Sequence, residues 1–333
     1  MTQMAAEAPV EIIEAVGGMR RPVVVAHVVP DADALGSIFA TALAYNGNGC
    51  APKVALPAGS LSQRLAFMHD WAKVPVAGRT DFEKADGFIV LDTAKKERCN
   101  VGPDQRNTDW SAGRPVVNID HHDTNTRFGD VNWVDAEASS SAELVLRLLQ
   151  AAGRPVSPMV ASMLYAGVLT DTAGFSLPTT SPSGLAAAAE LVRLGADVAE
   201  LGERLCRSQT QSEFDLLRII YANTKRAAGG AIAYSTATYE DITGAGCTAA
   251  DIDDQVSIPR SLDGVRLAML LTEGNKGKTR INFRGDGRVE VLELAQKFNG
   301  GGHRQAAGAV IDTPLSDTVK MVVAAAVEHL KKY

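Results

Sequence analysis

The chain of 333 residues has little of what marks several protein classes. Its four cysteines, Cys50, Cys99, Cys206 and Cys247, are scattered, with no CxxC pair. That pattern excludes a disulfide scaffold and a thiolate zinc site, and reads as reduced thiols. No stretch approaches the roughly 18 consecutive apolar residues of a membrane span. Near the N-terminus Glu7, Glu11 and Glu14 stand where a secretory signal would carry basic residues and an unbroken apolar run. A cytoplasmic protein with no membrane partner is therefore expected. Positive charge is also in deficit, with 33 Lys and Arg against 39 Asp and Glu, a net charge of −6. A general basic surface for long nucleic acid is thereby disfavoured, while a short local anion site is still allowed. Aromatic residues make up only 5% of the chain, and no internal repeat or low-complexity tract is present.

What is there is an ordinary globular composition, 46% hydrophobic and 22% charged, in a length that fits two domains at about 100 to 200 residues each. Three short apolar runs end in carboxylate or imidazole. "PVVVAH" runs into His27, Asp31 and Asp33 before a helical pattern from Ala34 to Tyr45; "GFIVLDTA" ends at Asp92; "RPVVNIDHHDT" ends at Asp120, His121 and His122. Such runs, separated by helical or loop segments, predict an α/β domain with a mainly parallel sheet flanked by helices. Ligands of such sheets bind outside the carboxyl ends of the strands, so the three clusters should converge. "SSSAELVLRLLQAAG" reads as a helix with Ser139 to Ser141 available as caps. The apolar segment "MVASMLYAGVLTDTAGF" follows, carrying Asp171 at its polar end.

Residues 182–226 read as successive helices, and the rest changes character. "AIAYSTAT", "RLAMLLTE" and "TRINFRG" are strand-like, "VEVLELAQKF" is helix-like, and an amphipathic helix starts near Leu315. The expected organisation is an N-terminal domain over 1–185, a helical connector over 186–215 and a smaller α/β domain over 216–333, with the active site in the cleft between the domains. Between Arg260 and Arg304 nine Lys and Arg face five Asp and Glu, a local excess of four positive charges in an acidic chain.

Carboxylates gathered at one place repel one another and raise each other's pKa unless a cation neutralises them. If His27, Asp31, Asp33, Asp92, His121 and Asp171 meet, a metal cluster is the natural resolution. Oxygen-rich ligands with a minority of imidazoles favour Mn²⁺ or Mg²⁺, with Co²⁺, Zn²⁺ or Fe²⁺ as substitutes in vitro. Two ions sharing a carboxylate would suit phosphoryl ester hydrolysis, by activating a water and polarising the phosphoryl oxygen. Taken singly, an Asp after a strand is a turn or helix cap; three acidic strand ends, with HxxxDxD and DHH among them, favour the metal reading.

The segments "HVVPDADALGS", "VLDTA", "NIDHHDTN", "GVLTDTAGF" and "FNGGGHRQAAGAV", in that order, resemble the successive motifs of the DHH phosphoesterase superfamily with its DHH-associated C-terminal domain. The layout is similar to the NrnA-type branch, which acts on very short oligonucleotides and in some members on 3′-phosphoadenosine 5′-phosphate or on linear and cyclic dinucleotides. The resemblance implies two Mn²⁺ ions, with Mg²⁺ or Co²⁺ as alternatives. It places His27 and Asp31 on the first ion, Asp33, His121 and Asp171 on the second, and Asp92 between them. His122 would face the scissile phosphate, and Asp120 would orient an imidazole. In the second domain Gly300, Gly301 and Gly302, with His303 and Arg284, would grip the substrate's terminal phosphate or base.

Ser139, Ser140 and Glu143 resemble a family segment near the substrate, but helix capping explains them nearly as well and they are left out of the catalytic set; Lys95, Lys96 and Arg98 could extend the positive field after Asp92, with a solvated face the preferred reading. Ala32 stands where many relatives have a glycine, which raises a question about the local turn. The expected partner is a short oligonucleotide or nucleotide substrate, not a long nucleic-acid track, with a homodimer left open. Rival readings are a cyclic-dinucleotide phosphodiesterase, an inorganic pyrophosphatase, a single-strand exonuclease for which the chain is short, and a non-catalytic nucleotide sensor. The sensor reading needs lost ligands, and all six are present.

Overall fold

Strand side chains alternate between two faces, and in this chain both faces are apolar, which forces helices onto each side. The computed structural model describes residues 7–56, 61–99, 101, 110–248, 251–252 and 255–333. These fall into two compact units divided between Ser208 and Gln209.

In the first unit the strands are β1 (Pro22–Val25), β2 (Lys53–Val54), β3 (Gly87–Leu91), β4 (Val116–Asp120) and β5 (Val131–Val134). They form one sheet in the order β2-β1-β3-β4-β5 with every pairing parallel. The three apolar runs singled out above are β1, β3 and β4, and they are adjacent. The helices are α1 (Val10–Gly18), α2 (Ala32–Tyr45), α3 (Ala66–Ala72), α4 (Arg79–Lys84), α5 (Ser141–Ala151), α6 (Pro158–Asp171), α7 (Pro182–Arg193) and α8 (Val198–Gly202). Val24, Ile89, Leu91, Val117 and Ile119 share one core with Leu35 and Ile38 of α2, Leu144 and Leu148 of α5 and Leu164 of α6. The alternate residues Val23, Val25, Phe88, Val90 and Val116 pack on the other face with Phe82, Trp110 and Phe128. Helices α7 and α8, which cover most of 186–202, belong to this unit.

Strand order reverses between β1 and β3. That reversal opens a crevice at the carboxyl ends of these two strands, where neighbouring crossovers leave in opposite directions.

The second unit contains α9 (Gln211–Ala222), α10 (Tyr239–Gly244), α11 (Ser257–Arg260), α12 (Leu292–Gln296) and α13 (Leu315–Leu330). Its strands are β6 (Lys225–Ala227), β7 (Ile232–Ala237), β8 (Leu267–Asn275), β9 (Lys278–Gly285), β10 (Gly301–Gly302) and β11 (Ala306–Ile311), in the order β10-β11-β9-β8-β7-β6. Among the described residues of this unit only the β7–β8 pairing is parallel. Ala233, Ala268 and Leu270 face Leu216, Ile220 and Ile258, whereas Met269, Ile281 and Phe283 face Leu294, Val322 and Ala326. The helix expected over 289–298 is shorter than its pattern. The amides of Arg288 and Val289 bond the Asp286 carboxylate and that of Val291 bonds the Arg304 carbonyl, so helix starts only at Leu292. No helix of the described residues is long and apolar enough to cross a membrane.

Helices α2, α5 and α6 meet closely because two glycines remove side chains from the contact. A Cβ at Gly36 would lie 2.2 Å from the Met163 carbonyl oxygen, and one at Gly167 would lie 2.5 Å from an Asp33 carboxylate oxygen. A Gly36→Ala substitution should therefore destabilise the protein by about 1–3 kcal/mol through overpacking. Urea denaturation would show it as a lower midpoint with an unchanged slope; an unchanged midpoint would contradict the close α2–α6 approach.

Candidate metal centre

Each of the acidic strand ends delivers its side chains for a local reason. After β1 the chain turns through Val29, whose φ of 55° is left-handed, and enters α2 with Asp31 as N-cap, its Oδ1 accepting the Ala34 amide at 3.0 Å. Ala32 is the first residue of that helix. The position commonly occupied by glycine thus makes no left-handed demand here, and alanine fits. Asp33, in the first turn, accepts the amides of Ser141 and Ala142 at 2.7 and 2.8 Å. It holds the N-terminus of α5, where backbone donors and the helix dipole favour an anion. Asp92 leaves β3 with a φ of 53° and accepts the Ser141 hydroxyl at 3.0 Å. Asp171 arrives differently: it ends α6, a helix started by the Ser157 cap and Pro158.

The six residues come together. His27 Nε2 lies 3.4 Å from Asp92 Oδ2 and 3.9 Å from Asp31 Oδ2. His121 Nε2 lies 3.3 Å from Asp171, 3.6 Å from Asp92 and 4.0 Å from Asp33. Among the described residues of this unit three sets of donor atoms are close enough to share an ion: His27, Asp31 and Asp92; Asp33, Asp92 and His121; and Asp92, Asp120 and His122. Asp92 belongs to all three and is only 2% exposed.

The side chains of the cluster perturb one another strongly. Burial raises the Asp33 carboxyl well above its ordinary range, and the like charges of Asp92, Asp171 and Asp31 add to the shift. The Asp171 carboxyl is raised to about 7, chiefly by burial and with the like charges of Asp31 and Asp92, against the pull of His121 and His122. For Asp92 burial acts in the same direction, yet the His27 contact and the charges of His122 and His121 outweigh it and hold the carboxyl far below the usual range. His122 is bonded through Nδ1 to Asp120 Oδ1 at 2.7 Å. Burial disfavours its charge, but Asp120, Asp92 and Asp171 raise it to about 10.

The donor set fits divalent ions. His27 Nδ1 contacts the Val28 carbonyl at 2.8 Å and His121 Nδ1 the Ala138 carbonyl at 3.4 Å. A carbonyl accepts only, so Nδ1 of each ring carries a proton, and Nε2 is the nitrogen turned to the carboxylates, the one whose lone pair a metal ion would take. A backbone contact at the far ring nitrogen is the usual support of a metal-bound imidazole, and the surrounding carboxylates offer the oxygen donors.

The second unit places its candidates around β9–β11. Arg284 is paired in register with Ala306, and Gly301 with Gly308. Gly300 and Gly302 have packing reasons of their own: added Cβ atoms would lie 2.1 Å from the Gly308 carbonyl and 2.6 Å from the Ala306 carbonyl, and Gly302 has a φ of 133°. The amides of Gly300 and His303 are engaged by the carbonyls of Ala295 and Ala306.

Residues 21–168 match the DHH family, N-terminal domain, and residues 229–332 match the DHHA1 domain. Over 308 residues the chain is 31% identical to the bifunctional oligoribonuclease and PAP phosphatase NrnA of Thermus thermophilus, a match covering 90% of this chain and 86% of that protein. The chain belongs to the DHH family. A second DHH relative, the bifunctional oligoribonuclease and PAP phosphatase NrnA of Bacillus subtilis, is 30% identical over 292 residues, 86% of this chain and 87% of its own. Among solved structures, an exopolyphosphatase-related protein from Bacteroides fragilis superposes with a TM-score of 0.82 at 24% identity, covering 100% of this chain and 98% of that one. That likeness shows a shared fold. As a DHH phosphoesterase the chain is a hydrolase.

Three contributors to the DHH centre were not singled out from sequence. Ser141, taken as one of several caps, bonds both Asp33 and Asp92. Asn118 and Asn125 brace the loop after β4: Asn125 Nδ2 donates to Asp120 Oδ2 at 2.5 Å and to Asn118 Oδ1 at 2.9 Å. The available signal was Asn118 itself, a polar residue inside a fully buried strand. Ser139, Ser140 and Glu143 do act as caps. Ser140 Oγ accepts the Glu143 amide, and the Glu143 carboxylate accepts the Ser139 amide and hydroxyl.

Raising the His122 pKa from 6.5 to about 10 means that folding favours its protonated form. In protein stripped of divalent ions this contribution is fully present below about pH 6.5 and is lost as pH rises through about 10. Denaturation in chelator should show the stability of the wild type, relative to Asp120→Asn, falling across that window. A difference that does not change with pH would contradict the His122–Asp120 pairing.

Proposed function

We propose that the chain is a Mn²⁺-dependent, dinuclear phosphoesterase that hydrolyses very short oligonucleotides, dinucleotides or related nucleotide phosphates such as 3′-phosphoadenosine 5′-phosphate. The observation that carries this reading is the membership of Asp92 in two neighbouring ligand sets, one with His27 and Asp31 and the other with Asp33 and His121. Asp171, 3.3 Å from His121 Nε2, joins the second set. The named activities of the two NrnA relatives support the substrate class. Oxygen-rich sites with two imidazoles favour Mn²⁺, with Mg²⁺ or Co²⁺ as substitutes.

When bound, two divalent ions supply Lewis-acid polarisation of the phosphoryl group and lower the pKa of an attacking water. The remaining work falls to side chains. His27, Asp31, Asp33, Asp92, His121 and Asp171 fix the ions. Ser141 orients Asp92 by its hydroxyl, and its amide anchors Asp33. Asp120 holds the proton on His122 Nδ1 and sets the ring so that Nε2, at the end turned away from Asp120, can donate to a phosphoryl oxygen or to the leaving group. Asn125, bonded to Asp120, fixes that carboxylate in turn.

Arg284 and His303, with Gly300, Gly301 and Gly302 as their close-packed support, are the proposed substrate-binding residues of the second unit. Since the Gly300 and His303 amides already have carbonyl partners, the grip rests on the two side chains more than on the glycine backbone.

Asp92→Ala should lower Mn²⁺-dependent hydrolysis of a diribonucleotide by at least about 1,000-fold while circular dichroism and Tm report a folded protein. Full activity in that variant would overturn the dinuclear reading. Arg284→Ala and His303→Ala should each raise KM for the diribonucleotide by about tenfold, the scale of one lost charge-assisted contact, and leave KM for a small aryl phosphate ester nearly unchanged. Equal effects on both substrates would remove these residues from substrate binding.

A further inference from the structure

Residues 135–142, which lead from β5 into α5, hold the metal centre from one side. The Asp135 amide donates to the Asp120 carbonyl at 3.1 Å, and the Ala138 carbonyl stands 3.4 Å from His121 Nδ1. Ser141 donates its amide to Asp33 and its hydroxyl to Asp92, and the Ala142 amide donates to Asp33. Asp33, Asp92 and His121 form one of the ligand sets. Every member of that set therefore takes a contact from this one segment.

The segment is in turn tied down by charge. Glu143 is only 1% exposed. One of its carboxylate oxygens accepts the Ser139 amide and hydroxyl, both at 2.8 Å, and the other pairs with Arg147, one turn further along α5. The Arg147 side chain, 12% exposed, reaches back through Nη1 to Asp135 Oδ2 at 3.0 Å. A single guanidinium thus joins the start of the loop, at Asp135, to its end, through Glu143 and Ser139.

Capping does not require this arrangement, since Ser140 already caps α5 with its hydroxyl. Withdrawing a carboxylate and a guanidinium from water is costly, and neutral replacements of such a pair are often neutral or stabilising for the fold. What the pair supplies is direction. The planar fork of a guanidinium meets two carboxylates at fixed angles, which an apolar contact does not do.

We propose that Arg147 is a positioning residue for the Asp33–Asp92–His121 ion site. Through Asp135 and Glu143 it sets the loop that presents the Ala138 carbonyl to His121 and Ser141 to Asp33 and Asp92. The proposal rests on the dinuclear reading of the centre. The His27–Asp31–Asp92 set receives the loop's hold only through Asp92, so it should feel a loss of Arg147 less.

The test is isothermal titration of full-length protein with Mn²⁺, which yields two dissociation constants; Asp31→Asn marks the one that belongs to the His27–Asp31–Asp92 set. The double variant Glu143→Gln, Arg147→Met removes both charges and keeps an acceptor for Ser139. It should hold the wild-type Tm, weaken the other site at least about tenfold, the scale of a lost support to a metal ligand, and change the marked site less than about threefold. Arg147→Lys, which keeps the charge without the fork, should weaken the same site by less than the double variant does. Two wild-type constants in the double variant would overturn the proposal. So would a loss confined to the site marked by Asp31→Asn, or a fall in Tm with both sites weakened alike, because the pair would then be a structural clamp. A wild type that binds fewer than two ions would instead refute the dinuclear reading, and this proposal with it.

Discussion

The constraint on which the first unit depends is the burial of several carboxylates in one crevice. Asp33, Asp92 and Asp120 are all nearly inaccessible, and Asp171 stands against the same imidazole as two of them. Like charges that close inside protein are tolerable only with compensation from dipoles, partners or ions. The fold supplies the first two. The N-terminus of α5 meets Asp33 with two amides, His122 pairs with Asp120, and His27 and His121 flank Asp92. What the chain itself does not neutralise is left for cations.

That compensation explains features of the fold that packing alone would not select. Gly167 must lack a side chain for α6 to close on Asp33 and Ala142, so the glycine serves the carboxylate as much as the helices. Asp92 and Val29 both adopt left-handed backbone angles, an uncommon choice for non-glycine residues and a costly one for a β-branched side chain. Both lie where chain leaves a strand at the reversal of strand order. Strain held at such points by surrounding structure is characteristic of sites that must aim side chains accurately.

Much of this was legible in the sequence, because parallel strands buried on both faces leave continuous apolar runs and because their polar ends interrupt those runs abruptly. His27, Asp92 and His121 could be placed from that pattern. Asp171 could be named but not its geometry, since a helix end and a strand end look alike after a long apolar stretch. Ser141 was hidden by its own plausibility as a cap, a role that neighbouring Ser140 does fill. The glycine run before His303 was read as an opening for an anion, yet Gly300 and Gly302 answer first to the close approach of β11. Strand pairing across that distance leaves no local mark.

The central claim is that Asp92 joins two ion sites into one centre. Equilibrium dialysis of the full-length protein against Mn²⁺, read by atomic emission, tests it without reference to any substrate. The account predicts two ions bound per chain at saturation, and weakened binding at both sites when Asp92 is replaced by Asn in a protein that keeps its fold. Two ions bound with undiminished affinity by Asp92→Asn, or a single ion in the wild type, would contradict it.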